Sequence, residues 1–86
     1  MASNLHVLLT SSQLGQILQT SRKSKKMSQA ALAVKLGLSQ SRVSHLEQHA
    51  EELSVEQLMN WCTALGLELA VGLRGSSAGN APKLDW

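Results

Sequence analysis

The chain has 86 residues and a formal net charge of +2 at neutral pH, with no Phe or Tyr, two Trp and one Cys. That length gives room for one domain with a thin core of Leu, Val, Ile and Ala, a size that gains from an oligomer interface. One Cys excludes an internal disulfide, no stretch approaches the roughly 20 apolar residues of a membrane span, and the N-terminus lacks the basic-then-apolar order of a secretory signal, so the expectation is a cytoplasmic protein.

Met1 to Leu9 is a short arm whose apolar run, Leu5 and Val7 to Leu9, reads either as a strand or as an ordered lead-in. Thr10 and Gln13 then have the spacing of a capping box, and Leu9 with Leu14 that of a hydrophobic staple. Leu14, Ile17 and Leu18 follow at helical spacing and predict a first helix to about Lys23. Arg22 to Lys26 holds four cations in five residues, in the connection to the next helix, where phosphates can be reached.

Met27 to Glu47, MSQAALAVKLGLSQSRVSHLE, splits into two short helical patterns around Gly37. The first puts Leu32, Ala33 and Leu36 on one face, the second Val43 and Leu46. Ser28 and Ser39 stand where N-caps belong, each able to accept from an otherwise unpaired backbone N–H. Met27 with Leu32, and Leu38 with Val43, are staple pairs. Gly37 can take the left-handed conformation that ends a helix. Two helices joined by a tight Gly-containing turn make a helix-turn-helix.

A polar loop is expected from Gln48 to Leu53. Ser54 and Gln57 repeat the capping box, Leu53 and Leu58 the staple, and Val55, Leu58, Cys62 and Leu65 form the core face of a last helix ended by Gly66. Trp61 falls beside that stripe, at the helix edge or in a dimer interface. Leu67, Leu69, Val71 and Leu73 alternate with Glu68, Ala70 and Gly72, the period of a strand. A lone strand leaves its backbone groups unpaired, so the same strand of a second copy is the cheapest partner; pairing with the N-terminal arm, or extension of the last helix, are the alternatives. From Arg74 the composition turns to Gly, Ser, Asn and Pro, which is linker chemistry, but the chain closes on Lys-Leu-Asp-Trp. A terminal Trp exposes a large apolar surface with no fold to hide it.

Charge is unevenly spread: residues 1–50 carry +5 and residues 51–86 carry −3. A basic half around a helix-turn-helix suits a polyanion. His45 and His49 have the i, i+4 spacing of a helical metal pair with Cys62 as a conceivable third ligand, but no fourth ligand follows at a suitable spacing, and no metal is expected. No nucleophile–base set, phosphate loop or carboxylate pair is present, so neither enzyme activity nor a cofactor is expected.

The run from Ser28 to Glu47 resembles the helix-turn-helix of the Cro/C1-type (Xre-like) repressors, through Gln29, Ala33, Gly37, Val43 and the Leu46-Glu47 ending. The resemblance implies a mainly α domain of four to five helices over residues 1–74. One C-terminal strand would pair across a homodimer through Leu67, Leu69, Val71 and Leu73, and a flexible tail would occupy 75–86. It also implies double-stranded operator DNA, an inverted repeat, as the ligand, contacted by Lys26, Ser28, Gln29, Ser39, Gln40, Ser41, Arg42, Ser44 and His45. Gln29 would touch phosphate and brace the first residue of the second, reading helix. Gln40 and Ser41 would reach base edges, where Gln is suited to adenine. Arg42 would reach a phosphate or a guanine.

A narrower likeness is to the HipB antitoxins, in length, in LGLELAVGL directly after the last helix, and in the Leu84-Asp85-Trp86 ending. It implies a HipA-like kinase toxin as partner, with Leu84 and Trp86 docking on it. The reading positions SQSRVSH depart from that family, so the operator sequence need not be shared. The alternative is a Cro/C1-type repressor acting without a toxin.

Overall fold

Four α-helices and one 3-10 turn make up the regular structure of residues 7–73, the part of the chain that the computed structural model describes. They are α1 (Ser11–Ser24), α2 (Gln29–Leu36), α3 (Gln40–Gln48), the 3-10 turn (Ala50–Glu52) and α4 (Val55–Leu65). Each helix begins at the expected cap. Thr10 Oγ1 accepts from Gln13 N at 3.2 Å while Gln13 Oε1 accepts from Thr10 N at 3.1 Å. Ser54 and Gln57 do the same at 3.0 and 2.9 Å. Ser28 accepts from Ala31 N and Ser39 from Arg42 N. Each such cap is worth about 1 kcal/mol.

Three helices stop in one way. Lys26, Gly37 and Gly66 take left-handed backbone, with φ of 56°, 70° and 72°. At each, that residue's N–H bonds three residues back and the next residue's N–H bonds five back: Met27 to Arg22 O, Leu38 to Ala33 O, Leu67 to Cys62 O, at 3.1, 2.9 and 2.8 Å. This is the Schellman stop, whose second residue is commonly apolar. Here it always is, and Met27, Leu38 and Leu67 all pack against the core. Met27 and Leu38 thus close one helix and staple the next, which keeps the α1–α2 and α2–α3 connections short.

The core is Leu18 of α1, Leu32 and Ala33 of α2, Val43 and Leu46 of α3, and Trp61 and Leu65 of α4. Trp61 corrects the expectation from helical spacing. It is 1% exposed and among the largest side chains in the core, neither at the helix edge nor open to a dimer partner, whereas Val55 is 69% exposed. Leu58, Trp61 and Leu65 satisfy the helical repeat as well as the stripe containing Val55 does. Turning α4 to bury the indole removes more apolar area from water than burying Val55, which sits in the first turn beside the cap.

Among the described residues there is no strand. Leu67 packs on the core, but Leu69, Val71 and Leu73 are exposed, and residues 7–9 form no backbone hydrogen bonds with 67–73. A ladder needs a partner backbone, and within the described chain the only other extended stretch does not supply one. The loop expected from Gln48 to Leu53 instead winds into the 3-10 turn and buries Ala50. No helix among the described residues is long and apolar enough to cross a membrane. The expected tail, with Leu84 and Trp86, lies outside the described residues.

Gly15 is buried where α1 crosses the end of α3, and a Cβ there would overlap the Glu47 carbonyl oxygen. Gly15→Ala gains up to about 1 kcal/mol of helix propensity. It nevertheless destabilises the fold by about 1–3 kcal/mol net, because backbone must move to admit the methyl. Urea unfolding measures this; a more stable variant would contradict the close approach.

Candidate nucleic-acid interface

The orientation of α3 is set by a buried charge pair. Arg22 from the last turn of α1 and Glu47 from the last turn of α3 are 6% and 5% exposed. Arg22 Nε donates to Glu47 Oε2 at 2.6 Å and Nη2 to Oε1 at 3.3 Å, a two-pronged contact. Arg22 Nη1 also donates to Met27 O at 2.8 Å, and Gln29 Nε2 donates to Glu47 Oε1 at 3.1 Å. No buried side-chain nitrogen or oxygen among the described residues lacks a partner. The network ties the end of α1, the start of α2 and the end of α3 together.

This changes the expected basic run. Arg22 is inside the protein and unavailable to phosphate. Lys25 lies along Gly66, its Cε and Nζ 3.1 Å from where a Cβ would stand, so its ammonium sits at the C-terminal, negative end of α4. Lys23 and Lys26 are exposed, and Lys26 stands two residues before Ser28, the cap of α2. Lys35 is exposed on α2.

Of the residues expected to contact DNA, Ser28 and Ser39 are exposed caps whose oxygens accept backbone N–H groups, leaving the hydroxyl hydrogens free to donate outward. Behind them the N–H groups of Gln29, Ala30, Gln40 and Ser41 have no acceptor among the described residues. Unpaired N–H groups at two helix N-termini suit phosphate oxygens. Gln29 is half-buried and braces Glu47, with no hydrogen bond to Gln40. Gln40 and Ser41 are exposed and Ser44 half-buried, and none of the three makes a side-chain hydrogen bond among the described residues. Arg42 and His45 both turn to Glu52 on the 3-10 turn, at 4.0 and 2.9 Å.

Glu47, Gly15 and Glu52 were missed as contributors. Glu47 follows Val43 by four residues and Arg22 follows Leu18 by four, so each occupies a core-facing position of its helix. A charge on an apolar stripe is the signal for a buried pair. Gly15 and Glu52 left no such trace, since their roles arise only where separate elements meet.

The conceived His45, His49 and Cys62 metal set does not assemble. Cys62 is buried on α4, and burial pushes its thiol up, keeping it protonated and inert. The two imidazoles stack with centroids 4.6 Å apart at the surface. His49 pairs with Glu51 at 3.3 Å. A hydrogen bond to its own backbone, opposed by desolvation and helped to a lesser degree by His49 and Ser11, holds the exposed Glu51 carboxyl below its ordinary value. The donor atoms of His49, Glu51 and Glu52 lie within 4.8 Å of one another, all exposed.

A family model described as a helix-turn-helix domain matches residues 2–74. No curated protein matches the chain.

Lys26 holds a left-handed conformation that costs an L-residue about 1–2 kcal/mol, partly offset by the extra chain entropy a glycine would lose. Lys26→Gly therefore raises the unfolding free energy by about 0.5–1 kcal/mol. Denaturant titration checks this, and a fall in stability would contradict the φ of 56°.

Proposed function

Because the chain belongs to the helix-turn-helix domain family, a family of DNA-binding regulators, we propose that it is a transcriptional repressor that binds an inverted-repeat operator as a homodimer. In this reading it works in the cytoplasm and is the antitoxin of a HipA-like kinase toxin, controlling its own operon. The observation that carries the DNA-binding part is the start of α3: Gln40 and Ser41 stand exposed, with neither side chain nor N–H engaged among the described residues, beside a capped α2 preceded by Lys26. Base edges and phosphates offer the partners these groups lack.

Dimerisation is supported by Leu69, Val71 and Leu73, which stay 43%, 79% and 55% exposed after α4 ends. Alternating apolar residues of this kind fit a two-stranded sheet about a two-fold axis, which would set the reading helices about 34 Å apart, one turn of duplex. The antitoxin part rests on the likeness in length, in the segment after α4, and in the Leu84-Asp85-Trp86 ending. Trp anchors interfaces well, since it buries much area and its N–H can find an acceptor.

Operator affinity should fall linearly with salt on a log–log plot, with a slope of about −0.9 per phosphate contacted. Gln40→Ala should cost about 1–3 kcal/mol and relax preference at one base pair per half-site. A flat salt plot, or an unchanged base preference, would remove this mode of binding.

Deleting Leu84 to Trp86 should leave operator binding intact and weaken capture of a HipA-like kinase by up to about 2–4 kcal/mol. Calorimetric titration with a HipA-like kinase measures it. Equal affinities would make Trp86 a bystander; no kinase binding by either form would leave a repressor that acts alone.

A further inference from the structure

Glu52 lies on the 3-10 turn rather than on α3, yet its carboxylate meets two side chains of α3. His45 Nε2 is 2.9 Å from Glu52 Oε1, and Arg42 reaches the same oxygen at 4.0 Å. The turn that carries Glu52 is fixed: Ala50 is buried against Gly15 of α1, Glu52 N bonds to His49 O at 3.0 Å, and Leu53 N bonds to Ala50 O at 3.1 Å. A carboxylate accepts hydrogen bonds and, ionised, has none to give, so the imidazole nitrogen facing it must donate. His45 is held by Nε2–H, and its other nitrogen, Nδ1, has no hydrogen-bond partner among the described residues.

On α3, His45 stands one turn after Ser41 and is 43% exposed at its side chain. In the neutral ring a donating Nε2 makes Nδ1 an acceptor. The major groove presents donors at only two places, the exocyclic amines of adenine and cytosine. We infer that Glu52 is a positioning residue for base selection: by anchoring His45 through Nε2 it presents Nδ1 outward as an acceptor, and so favours an adenine or cytosine at one position of each half-site. This rests on α3 being the DNA-reading helix. Without the anchor the ring can turn over and offer its N–H instead, which suits guanine and thymine, and the preference relaxes. The charged and titratable groups around His45 are Glu52, Arg42 through the shared oxygen, His49 by ring stacking, and Glu51, whose carboxylate lies within 4.8 Å of the donor atoms of both His49 and Glu52.

The test is selection from a randomised duplex library at pH 8. It uses the full chain and the variants Glu52→Ala, Glu52→Gln, His45→Ala and the double variant His45→Ala/Glu52→Ala, each first shown to melt cooperatively with unchanged helix content. Glu52→Ala should lose about two- to tenfold of preference at one position per half-site, the worth of one hydrogen bond. Glu52→Gln, which keeps an acceptor without the charge, should retain most of it. Both should bind all sequences somewhat more tightly, since a negative charge near DNA is gone. In the His45→Ala background, Glu52→Ala should change nothing further at that position. Unchanged preference in Glu52→Ala, or the same change with His45 already absent, overturns the inference while leaving the DNA-binding reading intact. A full chain that selects no sequence overturns both.

Discussion

One buried ion pair decides how α3 sits. Taking Arg22 and Glu47 out of water costs several kcal/mol per ion, and their attraction offsets this only if the geometry is good and the remaining polar atoms are bonded. Both conditions hold: two prongs join guanidinium to carboxylate, Gln29 donates a further bond to Glu47, and Met27 O accepts from Arg22. Such a pair gives little net stability compared with apolar residues of the same volume. What it supplies is a single permitted arrangement, because any sliding of α3 against α1 would strand a charge in the core. The missing Cβ of Gly15 belongs to the same constraint, since it lets α1 come close enough to the Glu47 backbone for the pair to form.

Around that pair the connections do double work. Met27 and Leu38 end one helix with a backbone bond and begin the next by covering its first turn. Few residues are then free to bend between α1 and α3. The caps at Ser28 and Ser39 fall at the surface with unpaired N–H groups behind them, so the devices that start these helices also make the places where an anion can bind. Cations are divided by the same geometry: Arg22 inward, Lys25 along the end of α4, Lys23 and Lys26 outward.

The helix starts and the glycine stops were legible in the sequence because a cap is a local bargain between residues three apart. The stop at Lys26 was not, since a lysine in left-handed backbone has no signature and is held there by the two hydrogen bonds that close α1. Trp61 escaped because helical spacing allowed two stripes on α4, and only the space between α1, α2 and α4 chose between them. The inner pair was hidden by sorting charges as surface groups, although Arg22 and Glu47 each stand on an apolar face. The exposed polar residues at the start of α3 were readable as a pattern. Which of them are free and which are held, as His45 is by Glu52, depended on a 3-10 turn where a plain loop was expected. The alternation from Leu67 to Leu73 is clear in the sequence, but a strand needs a second backbone, and one chain's sequence does not contain it.

The most direct measurement is a double-mutant cycle on the buried pair, by urea unfolding of Arg22→Met, Glu47→Leu and the double variant. If the pair acts as a mutual constraint, each single change strands a charge and costs about 3–5 kcal/mol, or unfolds the protein. The double variant then recovers to near the wild-type value. Losses that simply add, within about 0.5 kcal/mol, would mean that Arg22 and Glu47 act independently and that something else seats α3.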